Sequence, residues 1–146
     1  MLDERMTEDL LKKLLASPTP QDYLDESLTT ATDLSTYLFA LLDERDIKRA
    51  DVAKAAGING TVVYDIFGGK SKPGRDRAIM LAFGLSCTFK ETQRVLRLAG
   101  VSELWPKNRR DAIIAWCINQ GMTRAQCDDE LWKLGEKTLL GTGALR

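Results

Sequence analysis

Most enzymatic proton chemistry near neutral pH runs through side chains that titrate there, and this chain contains no histidine. The commonest general base and the commonest metal ligand are therefore both missing. Cys87, Cys117 and Cys127 are widely and unevenly spaced with no Cys-x-x-Cys pair, a pattern that predicts reduced, packed thiols and no zinc site. Asp128 and Asp129 are sequence neighbours, so on a helix they point in different directions and gain nothing as an acid and base pair. Gly69-Lys70-Ser71 matches the end of a nucleotide-binding loop, but the first glycine of that motif would fall at Tyr64, and no strand precedes it. These readings predict no catalytic site, no metal site and no cofactor, and so no enzyme. One chemically pointed cluster survives. Lys70, Ser71, Lys72 and Arg75 bring three cations and a hydroxyl together, donors suited to phosphate oxygens.

Charge places that cluster in context. The 146 residues include 21 basic and 21 acidic side chains, and a formal net charge of zero at first argues against a polyanionic partner. The balance is uneven along the chain. Residues 1–43 carry 3 basic and 9 acidic side chains (net −6), residues 44–110 carry 14 and 7 (net +7), and residues 111–146 carry 4 and 5 (net −1). The middle is a basic module beside an acidic arm. Hydrophobic residues at 44% and charged residues at 29% are ordinary for a globular chain, which excludes a fibrous or wholly disordered one. No apolar run approaches the roughly 20 residues of a membrane helix, and the first eight residues are acidic, unlike a secretory signal. A cytoplasmic protein with no membrane partner is expected.

The elements that must carry the cationic loop follow from helical periodicity. Residues 7–16 put Leu10, Leu11, Leu14 and Leu15 on one stripe, with Thr7 as N-cap and Glu8 and Asp9 at the positive helix end. The prolines of residues 17–21 then break the chain into a linker. Leu34, Tyr37, Leu38, Leu41 and Leu42 predict a core-facing helix over about 33–45, capped by Asp33. Residues 49–56 predict a short helix with Val52, Ala53 and Ala56 on one side, stopped by Gly57 in a left-handed conformation. Residues 61–67 have the β-branched and aromatic content of a strand. No partner strand is legible, however, and Val63, Ile66 and Phe67 recur at i, i+3 and i+4, so a helix is expected. Further helices are predicted over 75–83, nearly all apolar from Ala78 to Phe83, and from the Thr88/Glu91 capping box to Leu98, with Val95, Leu96 and Phe89 inward and a stop at Gly100. Asn108/Asp111 and Thr123/Gln126 open two more, over 112–119 and 125–134. The predicted fold class is all-α.

Residues 49–59, Arg-Ala-Asp-Val-Ala-Lys-Ala-Ala-Gly-Ile-Asn, followed by Val63, Ile66, Phe67, Gly69, Lys70 and Pro73, resemble the helix-turn-helix of the phage-repressor family (lambda repressor and Cro type). The resemblance covers about residues 33–99 and implies a five-helix DNA-binding domain. In that family the residue matching Ala53 lets two helices cross closely, the one matching Gly57 makes the turn, and those matching Val52, Ile58, Val63 and Ile66 hold the second helix on the first. That second helix, residues 60–67 here, lies in the major groove while the first crosses the backbone. The resemblance thus implies a DNA-facing set of Arg49, Asn59, Gly60, Thr61 and Tyr64, with Lys70, Ser71, Lys72 and Arg75 on phosphates. Three positions depart from the family pattern: Arg49 stands for the usual glutamine, Lys48 for the usual Ser or Thr cap, and Gly60 offers no side chain where a base is commonly read. Tyr64 has a second reading, packing its ring on the neighbouring helix.

The predicted organisation is an N-terminal arm (1–32), a helix-turn-helix domain (33–100) and a C-terminal helical extension (101–146) packed on the same body. The implied function is a bacterial or phage transcription regulator that binds double-stranded DNA as a homodimer. The alternative is a protein-interaction module, antitoxin-like or an adaptor subunit, that reuses the fold. Protein partners would meet the acidic arm, which otherwise covers the basic face, or the C-terminal helices. There Trp116 is expected in the core and Trp105 and Trp132 at a partner surface.

Overall fold

The computed structural model describes residues 11–21 and 33–141, in two units divided between Thr32 and Asp33. In the first unit residues 11–16 are helical with Leu11, Leu14 and Leu15 exposed, and bends at residues 17–19 interrupt the helix at the first proline. Thr7, Glu8, Asp9 and Leu10 lie outside the described residues, as does most of the acidic segment expected to act as a cover.

The second unit holds α1 (Leu34–Arg45), α2 (Arg49–Ala56), α3 (Gly60–Phe67), α4 (Arg75–Gly84), α5 (Phe89–Leu98), α6 (Arg109–Asn119) and α7 (Arg124–Lys133), with no strand among the described residues. The all-α expectation holds. Caps set the boundaries: Asp33 accepts from the Thr36 N–H at 2.8 Å, and Asn108 from the Asp111 N–H at 3.0 Å. Thr88/Glu91 and Thr123/Gln126 each form the reciprocal box that their spacing predicts. The β-branched segment is helical throughout. Helical spacing prevails because Val63, Ile66 and Phe67 share one buried face.

α4 is the spine of the unit, with every residue from Ala78 to Gly84 buried. It packs against α2, α5 and α7. At Gly84 the approach to α2 is so close that an added Cβ would lie 2.7 Å from the Val52 carbonyl oxygen and 3.0 Å from the Ala56 Cβ. α3 in turn rests on α2 and α1 through Val63, Ile66 and Phe67, and the Ser35 hydroxyl donates to the Phe67 carbonyl. α6 and α7 pair with each other, α6 reaching α5 and α7 reaching α4, so the C-terminal extension belongs to the same compact unit.

Two side chains differ from expectation. Phe89, at the first position of α5, is exposed, while Thr92, Gln93, Val95 and Leu96 fill the inner face. Trp116 is 52% exposed: the buried stripe of α6 is Asp111, Ile114, Cys117 and Ile118, and Trp116 falls on the opposite side of the helix. Trp105 and Trp132 are exposed as well. No helix among the described residues is long and apolar enough to cross a membrane.

The Gly84 crossing predicts that Gly84→Ala destabilises the protein by about 1–3 kcal/mol in thermal or urea unfolding, because the Cβ meets backbone that cannot swing aside. Gly60→Ala, with nothing within 4 Å of its Cβ position, should be neutral or stabilising by up to about 1 kcal/mol through helix propensity. Equal behaviour of the two variants would contradict this packing.

Candidate nucleic-acid interface

α2 and α3 are eight-residue helices joined by Gly57, Ile58 and Asn59. Lys48 stands at the α2 N-cap, where its ammonium has no lone pair to accept an N–H. The Asp51 carboxylate reaches back instead and accepts from the Lys48 N–H at 3.2 Å. Gly57 adopts the left-handed conformation with φ +78°, and the N–H groups of Gly57 and Ile58 both close onto the Ala53 carbonyl. Ile58 is buried and anchors the corner. Asn59 Oδ1 then accepts from the Thr61 N–H at 2.8 Å, so this residue, expected to face DNA, caps α3.

With Val63, Ile66 and Phe67 turned inward, Thr61 and Tyr64 stand exposed on α3, and Gly60 adds no bulk beside them. Tyr64 is 45% exposed and also satisfies its alternative reading: the Arg49 guanidinium of the preceding helix lies over its ring, 4.4 Å from the centroid. Phe39 of α1 approaches the same guanidinium at 5.7 Å and meets the buried Phe67 edge-on at 5.3 Å. After α3, the Lys70 and Ser71 N–H groups fold back onto the Asp65 carbonyl at 2.8 and 3.3 Å. This compact loop exposes Lys70, Ser71 and Lys72 and buries Pro73.

Arg75, expected on phosphates, is bonded within the fold. Its guanidinium donates to both oxygens of Asp111, at 2.9 and 2.7 Å, and to the carbonyls of Ser102 and Glu103. Four of its five N–H donors are thus taken up inside the fold, and one is left on Nη1. Asp111 also accepts from the Trp105 N–H at 2.9 Å. Its burial alone would raise the carboxyl pKa. The Arg75 hydrogen bonds, the Trp105 N–H and the nearby Arg110 outweigh that and hold it below the ordinary Asp value of 3.8. Arg110 is clamped to Asp76 at 2.9 and 3.1 Å, while Arg45, Arg97 and Arg109 pair with Glu91, Glu103 and Glu136. Much of the basic module thus holds the fold together, and the exposed cations on and around α2 and α3 include Lys48, Lys54, Lys70, Lys72 and Arg77, with Arg49 half-buried.

The extension reaches the corner itself. Arg124 of α7 lies against Gly57, its guanidinium atoms 3.1–3.3 Å from where a Cβ would be. Asp128, buried, binds Arg124 at 2.5 Å and accepts from the Leu139 N–H at 2.6 Å, fastening the chain after α7. Leu139 and Leu140 join Gly57, Asn59, Asp76 and exposed Arg77 around a concavity of about 360 Å³ beside the start of α3. Phe39 and Arg77 were not legible as surface residues of this site, since their placement depends on contacts distant in sequence. The only signal for Phe39 was its position just off the apolar stripe of α1.

The three cysteines are buried and free of disulfides. Burial pushes the Cys87 thiol up to about 12 and raises Cys117 and Cys127 as well, which keeps all three protonated and unreactive. Among the described residues no cluster of three or more potential ligands could hold a metal ion. No family model matches the chain, nor does any curated protein or solved structure.

A carboxyl whose folded-state pKa is depressed contributes stability above its unfolded pKa and loses it as pH falls through the folded value. Asp111→Asn should therefore cost about 2–3 kcal/mol at pH 7, less than a fully buried pair because Arg75 keeps some solvent contact. The gap from the unsubstituted protein should narrow below about pH 4. A gap that stays constant from pH 7 to pH 2 in urea unfolding would contradict this role of the Arg75–Asp111 pair.

Proposed function

We propose that the protein is a non-enzymatic DNA-binding regulator of the phage-repressor type, with α3 entering the major groove and α2 lying across the backbone. The observation that carries the reading is the division of labour on α3. Val63, Ile66 and Phe67 are buried, while Thr61 and Tyr64 are exposed, with half-buried Arg49 of α2 over the Tyr64 ring and a following loop that exposes Lys70, Ser71 and Lys72. Five helices between Leu34 and Leu98, and a left-handed glycine at the expected corner, support the repressor-like arrangement. Thr61 offers a hydroxyl and a methyl to base edges, and the lysines offer point charges to phosphates. One eight-residue helix reads few bases, so function as a homodimer, with two α3 helices in successive major grooves, completes the proposal.

A second reading has an observation of its own. A groove of about 380 Å³ opens between α6 and α7, lined by Ala112, Ile113, Trp116, Glu130 and Leu134, and Trp116 and Leu134 are both exposed. Exposed aromatic and aliphatic side chains around an apolar groove are what a protein partner covers. This favours a protein-binding role for the extension, with or without DNA at α3.

Salt dependence tests the first reading. Binding to a fluorescent duplex should weaken linearly in log salt, with a slope of about −0.9 per phosphate neutralised. Lys70→Ala and Lys72→Ala should each flatten the slope by about one unit, while a conservative change at Lys107, distant in sequence, leaves it unchanged. A protein that shows no salt-dependent binding to any duplex leaves the partner-binding reading in its place.

A further inference from the structure

We infer that Arg49, held over the ring of Tyr64 and beside Phe39, is the residue through which this surface reads a guanine edge, with the two rings acting as positioning residues. The inference rests on the DNA-binding reading above and names the base chemistry of that site. It starts from a vacancy. Gly60, the first residue of α3, has no side chain, and nothing lies within 4 Å of where its Cβ would be, so a duplex can approach that end of the helix without meeting a reader there.

Arg49 supplies the missing donors from the neighbouring helix. Its guanidinium carbon sits 4.4 Å from the Tyr64 centroid and 5.7 Å from that of Phe39. Phe39 is itself fixed against Phe67, whose ring belongs to the core, at an interplanar angle of 75°. The guanidinium is therefore tied to the buried interior through two rings. Among the described residues Arg49 pairs with no carboxylate, unlike Arg45, Arg75, Arg97, Arg109 and Arg110.

Stacking uses the face of a guanidinium and leaves its N–H donors free in the plane. A phosphate asks only for positive charge, which a mobile lysine provides. Guanine O6 and N7 are two coplanar acceptors and reward a donor fork whose plane is already set. A cation ordered by aromatic neighbours is therefore matched to a base edge. Thr61 lies one turn from Tyr64 and is exposed like it, so a methyl and a hydroxyl are available on the same helix for an adjoining base pair.

The test begins with selection of bound duplexes from a random pool, followed by affinity measurements on the recovered site with each guanine replaced in turn by 7-deazaguanine or adenine. At one guanine the unsubstituted protein should lose about tenfold in affinity. Arg49→Lys should keep its salt slope and bind the guanine and substituted sites alike. Tyr64→Phe should retain the preference, whereas Tyr64→Leu and Phe39→Leu should each reduce it several-fold. If Arg49→Lys keeps the preference, or if the salt slope falls by about one unit in Arg49→Ala with the preference intact, Arg49 is a phosphate contact and the inference is wrong. Recovery of no motif from a pool that binds with normal salt dependence also overturns it. Absence of salt-dependent binding would be the separate failure of the DNA-binding reading. Full preference in both ring variants would remove the positioning role of the rings.

Discussion

Gly84 brings α2 against α4 with no side chain between their backbones, and the elements that shape the candidate surface are built outward from that crossing. α4 is buried from Ala78 to Gly84, so it cannot tilt without opening the core on several sides. α2 inherits its position from α4, and the Gly57 corner directs the chain from α2 into α3. Val63, Ile66 and Phe67 then fix the rotation of α3 about its own axis. Thr61 and Tyr64 face outward as a geometric consequence of which three residues face in. The extension strengthens the same construction from outside, Arg75 bonding to Asp111 and Arg124 covering the corner glycine.

Electrostatics divides the cations into two populations. Arginines predominate where a planar fork meets a carboxylate, as in Arg75 with Asp111 and Arg110 with Asp76, and these charges are spent inside the molecule. Lysines predominate on the loop after α3, where hydrated, mobile ammonium groups remain exposed. Two arginines depart from this division by stacking on aromatic rings: half-buried Arg49 on Tyr64 and Phe39, and exposed Arg94 on Tyr37 at 4.9 Å. The regional charge of the sequence therefore overstates the field at the candidate surface, because charge counts do not register pairing between residues 34 or 36 positions apart.

Helix boundaries were legible because they are local: Asp33, Thr88, Asn108 and Thr123 cap the helices their spacing announces. The identity of α3 as a helix was also legible once the lack of a partner strand was weighed against its β-branched content. The role of Arg75 was not, because Asp111 lies 36 residues away and nothing in a basic loop announces its carboxylate. Trp116 was misplaced because size and aromaticity suggest burial, whereas the helical phase set by Ile114, Cys117 and Ile118 decides it. Gly84 lies just beyond the helix predicted over 75–83 and carries no signal of its own; only the approach of Val52 and Ala56 reveals what it permits. Phe39 gained its place through Phe67 and Arg49, contacts that periodicity does not encode.

Whether duplex DNA meets the outer side of α3, as proposed, is tested most directly by backbone amide chemical shifts recorded during a duplex titration. The account predicts that the largest changes map to Lys48 and Arg49, to residues 59–64 and to residues 70–72, with the groove around Trp116 and Leu134 unaffected. Changes confined to α6 and α7, or none at a protein concentration well above that of the duplex's expected dissociation constant, would contradict it.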